Sequence, residues 1–162
     1  MTKSGKAMSA GYTIAIDAMG GDNAPDAIVA GAELALKRYP DIRYILVGGM
    51  RPGTFEQMFE SLKKIQNLPK NTMMYCGHEY TKNNGQFCVS IDKDNSKLKD
   101  RIQYVKNRAK KNLPTLPVTL GEELETNIFL RCDDKKIKNN LKMDNSSKLE
   151  VFIKLRNLKD KF

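Results

Sequence analysis

The residues best placed to do chemistry lie in Tyr75-Cys76-Gly77-His78-Glu79-Tyr80, which holds the one histidine of the 162-residue sequence. A β-prone run, Thr72-Met73-Met74-Tyr75-Cys76, leads into this stretch, and Gly77 breaks it. A histidine at the tip of a rigid strand, facing an open loop, is well placed to ligate a metal. The competing reading is a hydrogen-bonded structural histidine, because its neighbours in the chain offer no second ligand. Cys76 lies two residues before His78, so an extended backbone could put both on one side. A second candidate is Gly20-Gly21, between a strand and a helix. There the backbone N–H groups and helix N-terminus suit a phosphate, and a tight turn suits the same glycines. A third is Arg156 with Lys159, three residues apart and so neighbours on a helix surface. Spacing alone makes that pair a solvated basic face.

The elements that must hold these residues read as follows. Tyr12 to Ile16 is a buried strand, Asp17 to Asp22 a turn, and Asn23-Ala24-Pro25-Asp26 opens a helix over Ala27 to Arg38. Ile42 to Val47 is a second strand, which makes a parallel βαβ unit with a right-handed crossover. Thr54 and Gln57 form a capping box before Phe55, Met58, Phe59, Leu62 and Ile65, which are spaced along one helix face. Thr81 to Val89 is helical, and Asp94-Asn95-Ser96 caps a helix in which Leu98, Ile102, Val105 and Ala109 share a face. Pro114 to Pro117 is an extended connector. Thr119 with Glu122, and Ser147 with Glu150, are two further boxes. The second opens a last helix with Leu149, Phe152 and Ile153. Asp133 to Asn145 is polar and reads as a mobile loop.

A net charge of +9 invites a polyanionic partner. The lysines are scattered, however, and no aromatic residues interleave with a basic stripe along the sequence, so no nucleic-acid partner is expected. No run of about 18 apolar residues is present, so no membrane span is expected. Residues 1–11 are polar, read as a disordered N-terminus, and lack the apolar stretch of a signal peptide. The three cysteines form no CxxC pair, and a reducing cytoplasm is the simplest compartment.

Ile14-Ala15-Ile16-Asp17-Ala18-Met19-Gly20-Gly21-Asp22-Asn23-Ala24-Pro25, followed by Ile28-Val29-Ala30-Gly31-Ala32, resembles the N-terminus of bacterial phosphate acyltransferase, an enzyme of phospholipid synthesis. That resemblance covers a fragment at about 12–49. From about residue 50 to 162 the chain is similar to the C-terminal part of hydroxyacylglutathione hydrolase, or glyoxalase II. The carrying residues are Glu56-Gln57-Met58, Leu68-Pro69, Tyr75 to Thr81, Asn84, Pro114-Thr115, Thr119-Leu120, Glu122-Glu123, Phe129-Leu130-Arg131, Arg156 and Lys159-Asp160.

The second resemblance implies hydrolysis of S-D-lactoylglutathione, as in methylglyoxal detoxification, by zinc or iron ions in a metallo-β-lactamase sandwich followed by a helical domain. It assigns His78 to the metal site, Tyr80 to glutathione, and Arg156 with Lys159 to the glutathione carboxylate. Glutathione or one of its thiolesters is the implied partner. The family's H-x-H-x-D-H motif has no counterpart in this sequence, and Arg51-Pro52 stands where the family has an aromatic or acidic residue. A solitary imidazole is too few donors for zinc, which takes three or four protein ligands. The expectation is an α/β chimera: a small βαβ unit, a strand, and a helical C-terminal region of the glyoxalase II type with an incomplete sandwich. Its sheet is expected to have about three strands, with the βαβ strands added beside Thr72–Cys76. No catalytic residue is assigned, and no bound metal is expected in an inactive fragment of this kind.

Overall fold

A computed structural model describes residues 13–18, 23, 25–47, 54–76 and 78–162. The elements run in the order β1 (Thr13–Asp17), α1 (Asp26–Arg38), β2 (Arg43–Val47), α2 (Phe55–Gln66), β3 (Met73–Tyr75), α3 (Thr81–Ile91) and α4 (Ser96–Lys110). Next come β4 (Val118–Thr119), α5 (Leu120–Thr126), a 3-10 turn (Ile128–Leu130), α6 (Lys135–Asn140) and α7 (Lys148–Lys159). The fold is mixed α/β. Gly20, Gly21 and residues 1–11, on which the phosphate and disordered-terminus expectations fall, lie outside the described residues.

One four-stranded sheet has the order β2-β1-β3-β4. β1 pairs parallel with β2 through Thr13–Arg43 to Asp17–Val47, and parallel with β3 through Ile14–Met73 to Ile16–Tyr75. The βαβ strands therefore do lie beside the strand that leads to His78. The expected three strands become four, because Val118–Thr119 pairs antiparallel with Met73–Met74. Two residues carry too little pattern to announce a strand. The first turn of α5 is tied to the same place. Its Leu120 N–H donates to Thr72 O at 2.8 Å, and its Gly121 N–H to Lys70 O at 2.8 Å. Those donors have no partner within their own helix, so the loop before β3 satisfies them. A Cβ on Gly121 would lie 3.3 Å from Lys70 O, so a larger residue here would push that carbonyl back by a few tenths of an ångström.

All three capping boxes form. The Thr54, Thr119 and Ser147 side chains accept from the N–H groups of Gln57, Glu122 and Glu150, and each of those side chains reaches back. Asn95 caps α4 through the Leu98 N–H.

The core belongs to the helical part. Phe87, Cys88, Leu98, Ile128, Cys132, Ile137, Val151, Phe152 and Leu155 form one buried cluster, with Phe55, Phe59 and Leu62 of α2 packed against it. Phe152 sits among rings, 5.4 Å from Phe59 and 6.0 Å from Phe129 between centroids. By contrast α1 has no buried residue, and Leu34 and Leu36 are exposed.

The segment Asp133 to Asn145 is not a loop. It contains α6, and Ile137 is completely buried. Its polar residues resemble a solvated stretch in composition but are engaged in the fold. Asp134 caps α6 through the N–H groups of Lys136 and Ile137 and pairs with Arg131 at 2.5 Å. Asp133 pairs with Lys138 and Lys148, both at 3.1 Å. Arg131 also meets the buried Asp92 at 2.5 Å, and Asn95 Nδ2 donates to the same carboxylate at 2.9 Å. α6 is thus clamped to the α3–α4 turn.

Two measurements test this packing. Arg131→Ala strands the buried Asp92 carboxylate and is expected to cost about 3–5 kcal/mol in urea unfolding. On α3, a Cβ at Gly85 would meet Ile102 Cδ1 at 2.2 Å. Gly85→Ala therefore requires the end of the Ile102 side chain to turn aside, and it is expected to be more favourable in urea unfolding in an Ile102→Val background, which lacks that methyl, than in the native chain. An equal effect in the two backgrounds would refute the contact.

Candidate functional site

The seam between the sheet and the helical part holds a groove of about 750 Å³. Ile16 and Met74 of the sheet, Ile65 of α2, Asn84 of α3 and Ile102 of α4 give it a largely apolar wall. His78, Tyr80 and Arg156 also line it, so three of the four residues assigned by resemblance in the second half of the chain meet at one cavity. Apolar walls with a few placed polar groups are the usual make-up of a small-molecule site.

Local sequence explains the placement. β3 fixes the backbone up to Tyr75, and α3 starts at Thr81, where the Asn84 N–H donates to Tyr80 O at 2.9 Å. His78 and Tyr80 lie in the short link, both exposed, with rings stacked 5.1 Å apart and 3° from parallel. Glu79 between them anchors the link. Its Oε2 accepts from the Thr115 N–H at 3.0 Å, and its Oε1 accepts from the Thr81 hydroxyl at 2.9 Å and from the Thr115 hydroxyl. The Thr115 and Thr81 hydroxyl oxygens lie 2.7 Å apart beside the same carboxylate. Partial burial on its own would raise the Glu79 carboxyl. The side-chain and backbone hydrogen bonds from Thr115, the one from Thr81 and the charge of Arg101 outweigh it and hold the group below its ordinary value. Sequence reading did not find this clamp, because its two sides lie 36 residues apart.

Arg156 stands on α7. Its Nη2 donates to Asp160 Oδ1 at 2.9 Å, and its guanidinium lies over Phe129, 5.6 Å from the ring centroid. Its Nε is buried with no hydrogen-bond partner among the described residues. Lys159 is not part of the groove wall; its ammonium lies 5.8 Å from the Phe87 ring and 5.6 Å from Phe162. The expected basic pair therefore separates, with one member in the groove and the other over an aromatic edge.

The metal expectation fares differently. Among the described residues no three His, Cys, Asp or Glu side chains come together as a ligand set. Cys76 is exposed at the end of β3, and its thiol is raised by desolvation first and then by the carboxylates of Glu123, Asp17 and Glu79, which opposes the thiolate that a metal needs. The described residues by themselves offer too few ligands for a zinc or iron pair.

A small mixed sheet against a helical bundle, with an exposed tyrosine and a half-buried arginine lining the groove between them, defines an α/β unit. Comparison with known proteins specifies it further. The family described as Hydroxyacylglutathione hydrolase C-terminus matches residues 79–162, and the family described as Fatty acid synthesis protein matches residues 12–112. The chain belongs to the first family over its second half and to the second over its first part, a chimera whose two matches overlap at residues 79–112. A hydroxyacylglutathione hydrolase of Chelativorans sp. is 50% identical over 105 residues, covering 65% of this chain and 41% of that protein. Those of Bartonella tribocorum and Pelagibacter ubique are 50% and 48% identical over 115 residues, covering 71% of this chain and 46% and 42% of theirs. The chain thus spans less than half the length of these relatives.

The clamp gives a pH prediction. Glu79 and Asp134 are both held below their ordinary values, Glu79 as described and Asp134 because the Arg131 and α6 N–H bonds outweigh its partial burial. Lowered carboxyls stabilise the fold fully above their unfolded values of about 4 to 4.5, and that stability is lost as pH falls through the lower native values. Acid unfolding is therefore expected to begin below about pH 4.5. In Thr81→Val/Thr115→Val, the Glu79 titration followed by carboxyl NMR is expected to move up. A titration at the same pH in both proteins would refute the clamp.

Proposed function

We propose that the groove binds glutathione, or the glutathionyl part of a thiolester, and that the described residues do not complete a hydrolytic centre. The observation that carries this reading is that the Arg156 guanidinium lines the same groove as Tyr80 and His78, with its Nη2 bond to Asp160 its one side-chain hydrogen bond among the described residues. A ligand carboxylate is the group that such a planar donor suits. Tyr80 and His78 at the groove lip offer a stacked pair of rings beside it. The names of the relatives and the match over residues 79–162 support a hydroxyacylglutathione substrate class. The domain division at about residue 50, the incomplete metallo-β-lactamase sandwich and the lack of catalysis belong to the same proposal. Hydrolysis by a metal-bound water would need ligands in addition to His78.

A second reading rests on the Fatty acid synthesis protein match and the parallel β1–α1–β2 unit. In it the first part of the chain is an acyltransferase-like fragment that holds phosphate at Gly20-Gly21. Saturable chemical-shift changes at those two amides on adding inorganic phosphate would favour it over the glutathione reading.

Isothermal titration with glutathione is the deciding measurement. Saturable binding is expected, weakened about tenfold or more in Arg156→Gln, since hydrogen bonds to charged groups contribute about 1.5–3 kcal/mol. No turnover of S-D-lactoylglutathione is expected with added zinc or iron. Heat-free titrations would overturn the binding reading, and turnover abolished by His78→Ala would overturn the non-catalytic one.

A further inference from the structure

Helix α4 carries a feature that extends beyond the groove, which it meets at Arg101. Lys97, Arg101, Tyr104, Arg108 and Lys111 follow one another at intervals of four, three, four and three residues. That spacing places them in one stripe along the helix, about 21 Å long. Leu98 and Val105, about a quarter-turn round the helix from the stripe, are buried in the core. Tyr104 is 46% exposed, although large aromatics are usually kept covered.

The centre of the stripe is preorganised. The Arg101 guanidinium lies 5.3 Å from the Tyr104 ring centroid and that of Arg108 lies 5.8 Å from it. Each is pinned by a backbone carbonyl of the proline connector: Arg101 Nη2 donates to Thr115 O at 3.3 Å, and Arg108 Nε donates to Pro114 O at 2.8 Å. Among the described residues, neither arginine nor Lys97 nor Lys111 forms an ion pair with a carboxylate. Most of the five donors on each guanidinium are therefore left for another molecule. Lys99, Lys106 and Lys110 lie on the far side of the helix, and Asp100, four residues before Tyr104, is the acidic residue beside the stripe.

We propose that this face of α4 binds single-stranded nucleic acid. Phosphates would take the lysine and arginine charges, and a base would stack on the Tyr104 ring or on the guanidinium planes beside it. Sequence-tolerant single-strand binding needs this combination of a basic track and a flat π surface. A bilayer surface is a poorer match, since the stripe has no apolar side chains to insert among lipid tails. The proposal departs from the expectation drawn from scattered lysines. Read along the sequence, the one aromatic is separated from the arginines by two and three residues; helical geometry brings them together.

Fluorescence anisotropy with a labelled oligouridylate of about 12 nucleotides tests the proposal on the full chain. Binding is expected, and it should weaken steeply between about 50 and 200 mM salt. Tyr104→Ala is expected to lose at least about fivefold in affinity, and Tyr104→Phe to retain it, because stacking and not the hydroxyl is at work. Arg101→Gln/Arg108→Gln should weaken binding and flatten the salt dependence. Lys64→Ala, a charge removed from α2, should leave affinity unchanged, and far-UV circular dichroism should show each variant folded. The proposal is overturned by an absence of binding or by equal losses in Lys64→Ala and the arginine double variant. It is also overturned if folded Tyr104→Ala binds as tightly as the native chain, with inorganic polyphosphate displacing RNA equally from both. That last result would reduce the stripe to a general polyanion attractor.

Discussion

The structure depends on what lies along the two edges of β3. This strand is three residues long, and alone its backbone donors and acceptors would face each other's absence on both sides. β1 supplies one edge in parallel register, and β4, continued by the first amides of α5, supplies the other. The two partners come from opposite parts of the chain. β1 lies in the region matched by the Fatty acid synthesis protein family alone, whereas β4 and α5 lie within the Hydroxyacylglutathione hydrolase C-terminus match. Hydrogen-bond completion at β3 is therefore what makes a single sheet out of two ancestries. It also sets the direction of the link that carries His78, Glu79 and Tyr80.

The burial pattern follows from that arrangement. The helices after β3 share one cluster of fully buried side chains, packed by Phe87, Phe152 and Ile137. The βαβ unit contributes Ala15, Thr13 and Ile42 to the buried set but leaves α1 with no buried residue. Parallel strands are normally covered on both faces, and here one helix of that unit covers its strands with half-buried residues only. Stability is accordingly concentrated in the second half of the chain. The groove lies on the boundary between the dense region and the thin one, where side chains from both fail to fill the space.

What could be read from sequence was what is local. Three capping boxes, the α4 cap at Asn95 and the apolar stripe of α2 each depend on residues within four positions of one another, and all form. The placement of the βαβ strands beside β3 was also legible, because unpaired strand edges need partners. α6 was missed because its polar residues are satisfied by Arg131, Lys138 and Lys148, contacts that composition cannot distinguish from solvation. The Glu79–Thr115 clamp and the unequal fates of Arg156 and Lys159 were invisible for a related reason. They depend on which helix faces which, and three-residue spacing leaves about 60° between two side chains on a helix. The Arg–Tyr–Arg stack on α4 has its own sequence signal, the three- and four-residue spacing that puts Arg101, Tyr104 and Arg108 on one face.

The three cysteines of this chain differ sharply in reach. Cys88 and Cys132 are buried, and burial above all pushes their thiols up to about 11 and about 12. Cys76 is exposed where β3 ends, beside the groove. To an alkylating reagent the folded chain therefore offers one reachable sulfur, slow because its thiolate is disfavoured, yet unrivalled while the helical core stays closed. A maleimide dye would settle at the groove mouth without any engineered mutation, and the later uptake of a second and third label would time the opening of the core.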